Sequence, residues 1–589
     1  MIKRLLLYIL LAFSFVTPTN AQYYLRGAVK DEKQNTISNA KIFLHSSRQQ
    51  FTSGSSGDFG IPSKLLFDSV TISMDGYETK SVKVKTDTWQ DIVVKISHEN
   101  ANKNKPKLIS VTKNLNNTEK VKWFIDEETY FQIVENDYVN AEKFPNTGFS
   151  LNVNKASYSN VRRFINMKST VPPDAVRTEE LINYFNLHYS EPAKNDVFKV
   201  ESQLTQCPWN NNKQLLYVNI NAKKLELEKT PPGNFVFLVD ASGSMDMPNK
   251  LPLLKAAFQM FVKNLRPIDT VSIVIYGGTV AVWMQPTGGA QKDTLIKRFE
   301  ELEAMGDTPG EAAILMAYRL AENTFIKDGN NRVILATDGD FNVGIASEKE
   351  LDELITKEKQ KGVYLTCLGV GMGNFKDSKL ETLAKSGNGN YAYLDNLHEA
   401  EKVLVKELSQ TFYGVADDVY FNIQFNPAVI KNYRLVGFDN KRDAVADSTT
   451  DLEGGEVGSG NSVMAMFEVE LNDTINANEK NVAKLDLRYS NCNDTAVHHL
   501  YYNCKKESTE FSKIHSDYQF AAAVTMFGLK LKQSKYINEI DWLQIETLAT
   551  ASHNPSNYLH TDFLQVIHKA KDIYLGATSK KKKKKKDDD

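Results

Sequence analysis

Between Pro231 and Leu408 four short apolar runs, Phe235 to Val239, Val271 to Ile275, Val333 to Ala336 and Val363 to Val370, alternate with stretches of helical periodicity. Those stretches are Leu251 to Leu265, Glu311 to Phe325, Glu348 to Lys361 and Ser378 to Lys385. Runs so short and so uniformly apolar suit strands covered on both faces. Their alternation with helices predicts an open, mostly parallel sheet wrapped by helices, a Rossmann-like α/β fold. In such a sheet the ligand crevice lies beyond the carboxyl ends of the strands, so chemistry is sought there.

The first strand runs into Asp240-Ala241-Ser242-Gly243-Ser244, and the strand Val333 to Ala336 into Thr337-Asp338-Gly339-Asp340. A further loop, Gly306-Asp307-Thr308-Pro309-Gly310, opens a helix. Each segment alone has an ordinary explanation. Asp, Ser and Gly fill any tight turn, and Thr308 with Pro309 and Glu311 makes a capping box. Together they bring hydroxyl and carboxylate oxygens to one sheet edge, the donors that a hard cation such as Mg²⁺ selects.

This ordered set, D-x-S-x-S, a loop threonine and a strand-end aspartate, resembles the von Willebrand factor A domain and its metal-ion-dependent adhesion site. The resemblance implies a Mg²⁺ site, with Mn²⁺ as a substitute, formed by Asp240, Ser242, Ser244, Thr308 and Asp338. The set holds only two carboxylates, and in the family some carboxylates act through water, so a protein partner's acidic side chain can replace the ion's remaining water. The expected role is therefore binding, not catalysis. Two alternatives stand beside it: a metal-dependent hydrolase using Asp307 or Asp340 as base, and a scaffold with a vestigial site.

Two other motif readings fail on their residues. A calcium loop starting at Asp338 has Val343 where glycine belongs and Lys349 where a bidentate glutamate belongs. Gly369-Val370-Gly371-Met372-Gly373-Asn374 lacks the last glycine or alanine of a dinucleotide fingerprint.

The flanks are of other kinds. Residues 22–97 alternate β-rich runs with turn residues and predict a small β-sandwich; GAVKD, NAKIFL, SGDFGI and MDGY resemble the carboxypeptidase regulatory-like domain, which implies a spacer or docking module. Residues 98–122 have a linker's composition. In 123–230 two amphipathic helices are predicted, around Val161 to Ile165 and Leu181 to Phe185. SYSNVRRFIN and VPPDAVRTEELINYF resemble the segment preceding the A domain in one family of bacterial von Willebrand factor A proteins. After the A domain, 231–410, residues 411–577 begin β-rich, with Val419, Phe421, Ile423 and Phe425 alternating, and end in helices that start near Ser516, Trp542 and Phe563. That region resembles the same family's C-terminal domain.

A chain of 589 residues exceeds one hydrophobic core. At the front, Lys3 and Arg4 precede an apolar stretch from Leu5 to Val16, and small Ala21 follows. This predicts a secretory signal peptide over 1–21, since the stretch is too short to span a bilayer. Export to the periplasm or outer cell envelope is expected, with no transmembrane segment after cleavage. With 71 basic and 73 acidic residues the chain does not favour nucleic acid. Lys580 to Lys586, in the charged tail 578–589, is expected to be solvated and disordered. Among four cysteines, Cys492 and Cys504 are near enough in sequence to staple a hairpin.

Overall fold

The computed structural model describes residues 23–587 apart from 33, 55–56, 75–76, 96–120, 123–127, 132–134, 152, 278, 307–309, 340–347, 373–374, 439–454, 474–477, 493–495 and 538–539. The signal-peptide reading and most of the predicted linker lie outside the described residues. The chain divides into two compact units, Met1–Lys107 and Leu108–Asp589.

The first unit is built from two small sheets. Asp58–Ser63, Tyr23–Lys30 and Trp89–Val93 form one; Gln49–Thr52, Lys41–Leu44, Phe67–Ser73 and Lys80–Lys85 form the other. Alternate residues point inward, so Leu25 and Ile61 from one sheet meet Ile42, Val70 and Ile72 from the other in one core.

Within the second unit the central region is a six-stranded sheet in the order Thr279–Gly288, Thr270–Gly277, Gly233–Asp240, Asn330–Thr337, Val363–Val370, Tyr391–Leu394. Neighbours are parallel except the first pair, which is antiparallel. Strand Gly233–Asp240 is buried along its whole length, as an apolar run covered on both faces requires. Helices Leu251–Asn264, Gly310–Asn323, Glu348–Gln360 and Asp377–Ser386 lie where the periodicity predicts them. The chain leaves Gly233–Asp240 toward one side of the sheet and returns on the other at Asn330–Thr337, a topological switch point.

Segments expected as separate units, 123–230 and 411–577, instead share two sheets. Strands Gln214–Ala222 and Phe198–Gln206 pair in one sheet with Ser462–Leu471 and Ile430–Val436. Asn146–Ser150 pairs in the other with Gly414–Phe425, which continues to Asn481–Asn491 and Val497–Lys505. The central α/β region is thus inserted between the two halves of a β-sandwich. Sequence reading found only helices in 123–230, because Gln214–Ala222 is covered on both faces and its hydrophobic alternation is lost. Leu216, Val218 and Ile220 enter the core between the sheets, while Leu215 and Tyr217 face a helical layer. That layer combines helices Ala156–Asn166 and Thr178–Tyr184 with Ser516–Leu531, Trp542–Ser552 and Tyr558–Asp587.

Two expectations are corrected. The Cys492–Cys504 staple is not formed. The hairpin register sets Ser490 against Val497 beside the turn and Ala483 against Cys504 at the far end, so the thiols are separated by roughly 30 Å of strand. All four cysteines are free. The lysine run Lys580 to Lys586 is the end of helix Tyr558–Asp587; lysine is a good helix former, and no proline interrupts the run. Among the described residues no helix is long and apolar enough to cross a membrane.

Candidate metal-binding crevice

At the switch point, strand Gly233–Asp240 delivers Asp240 and strand Asn330–Thr337 delivers Asp338 to the same edge of the sheet. The segment after Asp240 is held on both sides. Ala241 donates its N–H to the Tyr276 carbonyl at 2.7 Å and accepts from the Met305 N–H at 2.6 Å, and the Gly243 N–H donates to the Gly306 carbonyl at 3.0 Å. So close an approach needs glycine at 277, where a Cβ would stand 2.3 Å from the Ala241 oxygen and 2.7 Å from that of Met305. Met245 is fully buried and anchors the one-turn helix Gly243–Met245.

Ser242, Ser244 and Asp338 meet in this crevice. Ser242 Oγ lies 3.1 Å from Ser244 Oγ, which donates to Asp338 Oδ2 at 2.8 Å. Asp240 is oriented from behind: its Oδ1 accepts the Ser242 N–H at 2.9 Å, and its Oδ2 accepts from Thr337 Oγ1 at 2.9 Å and from the Tyr276 hydroxyl at 3.2 Å. Both carboxylates are buried. Burial, reinforced by the nearby charge of Asp338, pushes the Asp240 carboxyl up to about 6, against the opposing hydrogen bonds from Ser242 and Thr337.

Asp240, Ser242, Ser244 and Asp338 are therefore brought together, although they come from two strands. Thr308, Asp307 and Asp340 lie outside the described residues; Gly306, the last described residue before Thr308, touches Gly243.

Sequence reading missed three polar groups. Tyr276 and Thr337 orient Asp240. Lys250 donates its ammonium to Asp338 Oδ2 at 2.9 Å and to the Ser244 carbonyl at 3.0 Å. Room for its stem comes from Gly371, where a Cβ would lie 2.5 Å from Lys250 Cε. The available signals were faint: a polar residue closing each of two apolar strands, and one lysine ahead of an apolar helix.

The donor set fits a hard divalent cation. Octahedral coordination at about 2.1 Å has ligand–ligand edges near 3.0 Å, and the Ser242–Ser244 and Ser244–Asp338 oxygen separations of 3.1 and 2.8 Å match such edges. The ammonium of Lys250 already lies among these oxygens, paired with Asp338.

Comparison with known proteins adds the lineage. A family model described as von Willebrand factor type A domain matches residues 235–340, one described as von Willebrand factor matches 125–217, and the C-terminal model of the uncharacterised protein YfbK matches 410–573. YfbK of Escherichia coli (strain K12) is 36% identical over 473 residues, 75% of this chain and 81% of that protein. Inter-alpha-trypsin inhibitor heavy chain H2 of Homo sapiens is 25% identical over 203 residues, covering 33% of this chain and 21% of that one. Among solved structures, a von Willebrand factor type A protein from Catenulispora acidiphila aligns with a TM-score of 0.40 at 15% identity, over 64% of this chain and 91% of that one. The chain belongs to the YfbK family of bacterial von Willebrand factor A proteins.

Proposed function

We propose that the protein binds a partner protein through Mg²⁺ at this crevice. Ser242, Ser244 and Asp338 would supply oxygens from the described part of the site, Asp240 would contribute a second carboxylate, and Thr308 would complete the set. The bound ion offers a Lewis-acidic position to an acidic side chain of the partner. The chain's own residues do the rest: Tyr276 and Thr337 fix Asp240, the 241–245 segment fixes both serines, and Lys250 balances Asp338. What supports the reading most is the run of Ser242, Ser244 and Asp338 oxygens at the spacing of an octahedral edge. The reading is one of binding without turnover, in a protein exported to the cell envelope by its leader, with the front β-sheet unit as spacer or docking module.

A thermal-shift titration of the mature protein with Mg²⁺ and Mn²⁺ tests it, since a ligand that binds only the folded state raises its stability. We expect a rise in Tm that Asp240→Ala and Asp338→Ala abolish. An equal rise in parent and variants overturns the metal assignment, and Mg²⁺-dependent hydrolysis of model esters or phosphates, lost in Asp240→Ala, overturns the binding-only reading.

A further inference from the structure

Around the mouth of the crevice the chain leaves long apolar side chains in water. Met247, Met305 and Met372 are 53%, 52% and 37% exposed. Apolar residues exposed singly are ordinary, and it is their concentration at one place that calls for an explanation. Among the described residues four methionines are exposed, and three of them are these; the fourth, Met167, closes helix Ala156–Asn166 in the helical layer. Met245 shows the contrast within a single loop, since it is fully buried in a core of the α/β region two residues before Met247.

Each of the three comes from a different loop, and each loop is tied to the crevice. Met247 follows the one-turn helix Gly243–Met245, and its carbonyl accepts the Lys250 N–H at 2.9 Å. Met305 donates its own N–H to the carbonyl of Ala241, the residue before Ser242. Met372 comes two residues after strand Val363–Val370; the intervening Gly371 packs against the stem of Lys250, and its carbonyl accepts from the Tyr393 hydroxyl. The three side chains therefore start from loops that meet where the Ser242, Ser244 and Asp338 oxygens gather. Asp246 and Glu303 stand exposed on the first two of these loops.

We propose that Met247, Met305 and Met372 form an apolar collar around the metal position, and that the partner offers its acidic residue flanked by apolar side chains, which the collar covers. The inference rests on the metal-bridged binding proposed above and names the partner's chemistry. A carboxylate by itself gives the ion one new bond and little means of choosing one acidic protein over another. Apolar neighbours add area removed from water. Methionine, unbranched and polarizable, moulds to differing shapes and is enriched in protein interfaces. A run of acidic residues is disfavoured, because its additional charges would meet Asp246 and Glu303. A lone carboxylate in an apolar setting therefore complements both parts of the surface, charge against the ion and apolar side chains against methionine.

The test measures labelled peptides by fluorescence anisotropy on the full mature chain with Mg²⁺. One peptide sets a central aspartate between leucine pairs, a second sets it between serine pairs, and a third has asparagine between the leucine pairs. The leucine-flanked aspartate is expected to bind about 10-fold or more tighter than the serine-flanked one, and chelator or the asparagine centre should abolish binding. In a chain carrying Met247→Ser, Met305→Ser and Met372→Ser, the advantage of leucine flanks should shrink to about 2-fold, while the Mg²⁺-induced rise in Tm, which reports folding and metal binding, persists. Met167→Ser should leave the preference intact. Equal affinity for both aspartate peptides, or a leucine preference that survives the triple change, overturns the collar and leaves the metal reading standing. Binding indifferent to both chelator and the asparagine centre overturns the metal reading itself, and the collar with it. Absence of peptide binding at about 1 mM, in a chain whose Mg²⁺ shift is intact, overturns the collar.

Discussion

The crevice and the junction between the α/β region and its surrounding frame both bury carboxylates, and they neutralise them differently. At the junction three arginines reach buried carboxylates. Arg162 contacts Asp395 at 2.5 and 2.8 Å, Glu399 at 2.7 Å and Asp562 at 3.1 Å. Arg177 bridges Glu180 and Asp377, and Arg332 reaches Glu456 at 3.1 Å. In the crevice, among the described residues, one ammonium faces the two carboxylates, that of Lys250, which touches Asp338 and not Asp240. At the junction each of these carboxylates is in direct contact with an arginine, whereas in the crevice Asp240 is held by neutral donors, the Ser242 N–H, Thr337 and Tyr276, and an added cation is its natural complement. Structural electrostatics and binding electrostatics are told apart here by whether each buried carboxylate touches a cation of the chain.

The largest effect that would break this contrast is at Arg162. Arg162→Met removes the shared cation from buried Asp395 and Glu399, and stranding buried charges of this kind typically costs about 3–5 kcal/mol. Denaturant unfolding should show that loss, together with earlier proteolysis at the edges of the α/β region. A change below about 1 kcal/mol would mean that the junction is not held by its ion pairs.

A second test concerns Glu456, whose carboxyl burial pushes up to about 7 despite the facing Arg332. A folded-state value above the unfolded one means that the native protein holds the proton more tightly. This contribution is complete below about 4.5, the unfolded value, and is lost as pH rises through about 7. Glu456→Gln mimics the protonated form, so it should flatten the fall in stability between those limits, by up to about 3 kcal/mol at the upper end. Identical pH profiles in parent and variant would show that Arg332 compensates Glu456 fully.

How much of this was legible in the sequence follows from range. Asp240, Ser242 and Ser244 occupy one short segment at a strand end, and Asp338 ends the neighbouring strand, so apolar runs and topology are enough to bring them together. The strands Phe198–Gln206 and Gln214–Ala222 form a local hairpin, but the second also pairs with Ser462–Leu471 beyond the inserted α/β region and is covered on both faces, which erases period-two patterning. Arg162 finds Asp395 across 233 residues and Asp562 across 400. No local periodicity records such pairs. The hairpin register that separates Cys492 from Cys504 was hidden behind their nearness in sequence.

The smallest expected effect sharpens the contrast most, because it acts on a cation the crevice already holds. Lys250 is buried and its ammonium sits on the Asp338 oxygen that also faces Ser244. A divalent ion drawing on the same oxygen is repelled by this charge at short range. Lys250→Met keeps the length of the stem beside Gly371 and removes the charge, so Mg²⁺ affinity measured by calorimetry should rise about tenfold, equivalent to about 1.4 kcal/mol. If affinity falls instead, the hydrogen bond from Lys250 to the Ser244 carbonyl matters more than its charge. The lysine would then be part of the scaffold that shapes the crevice, and the crevice, like the junction, would depend on an internal cation for its geometry.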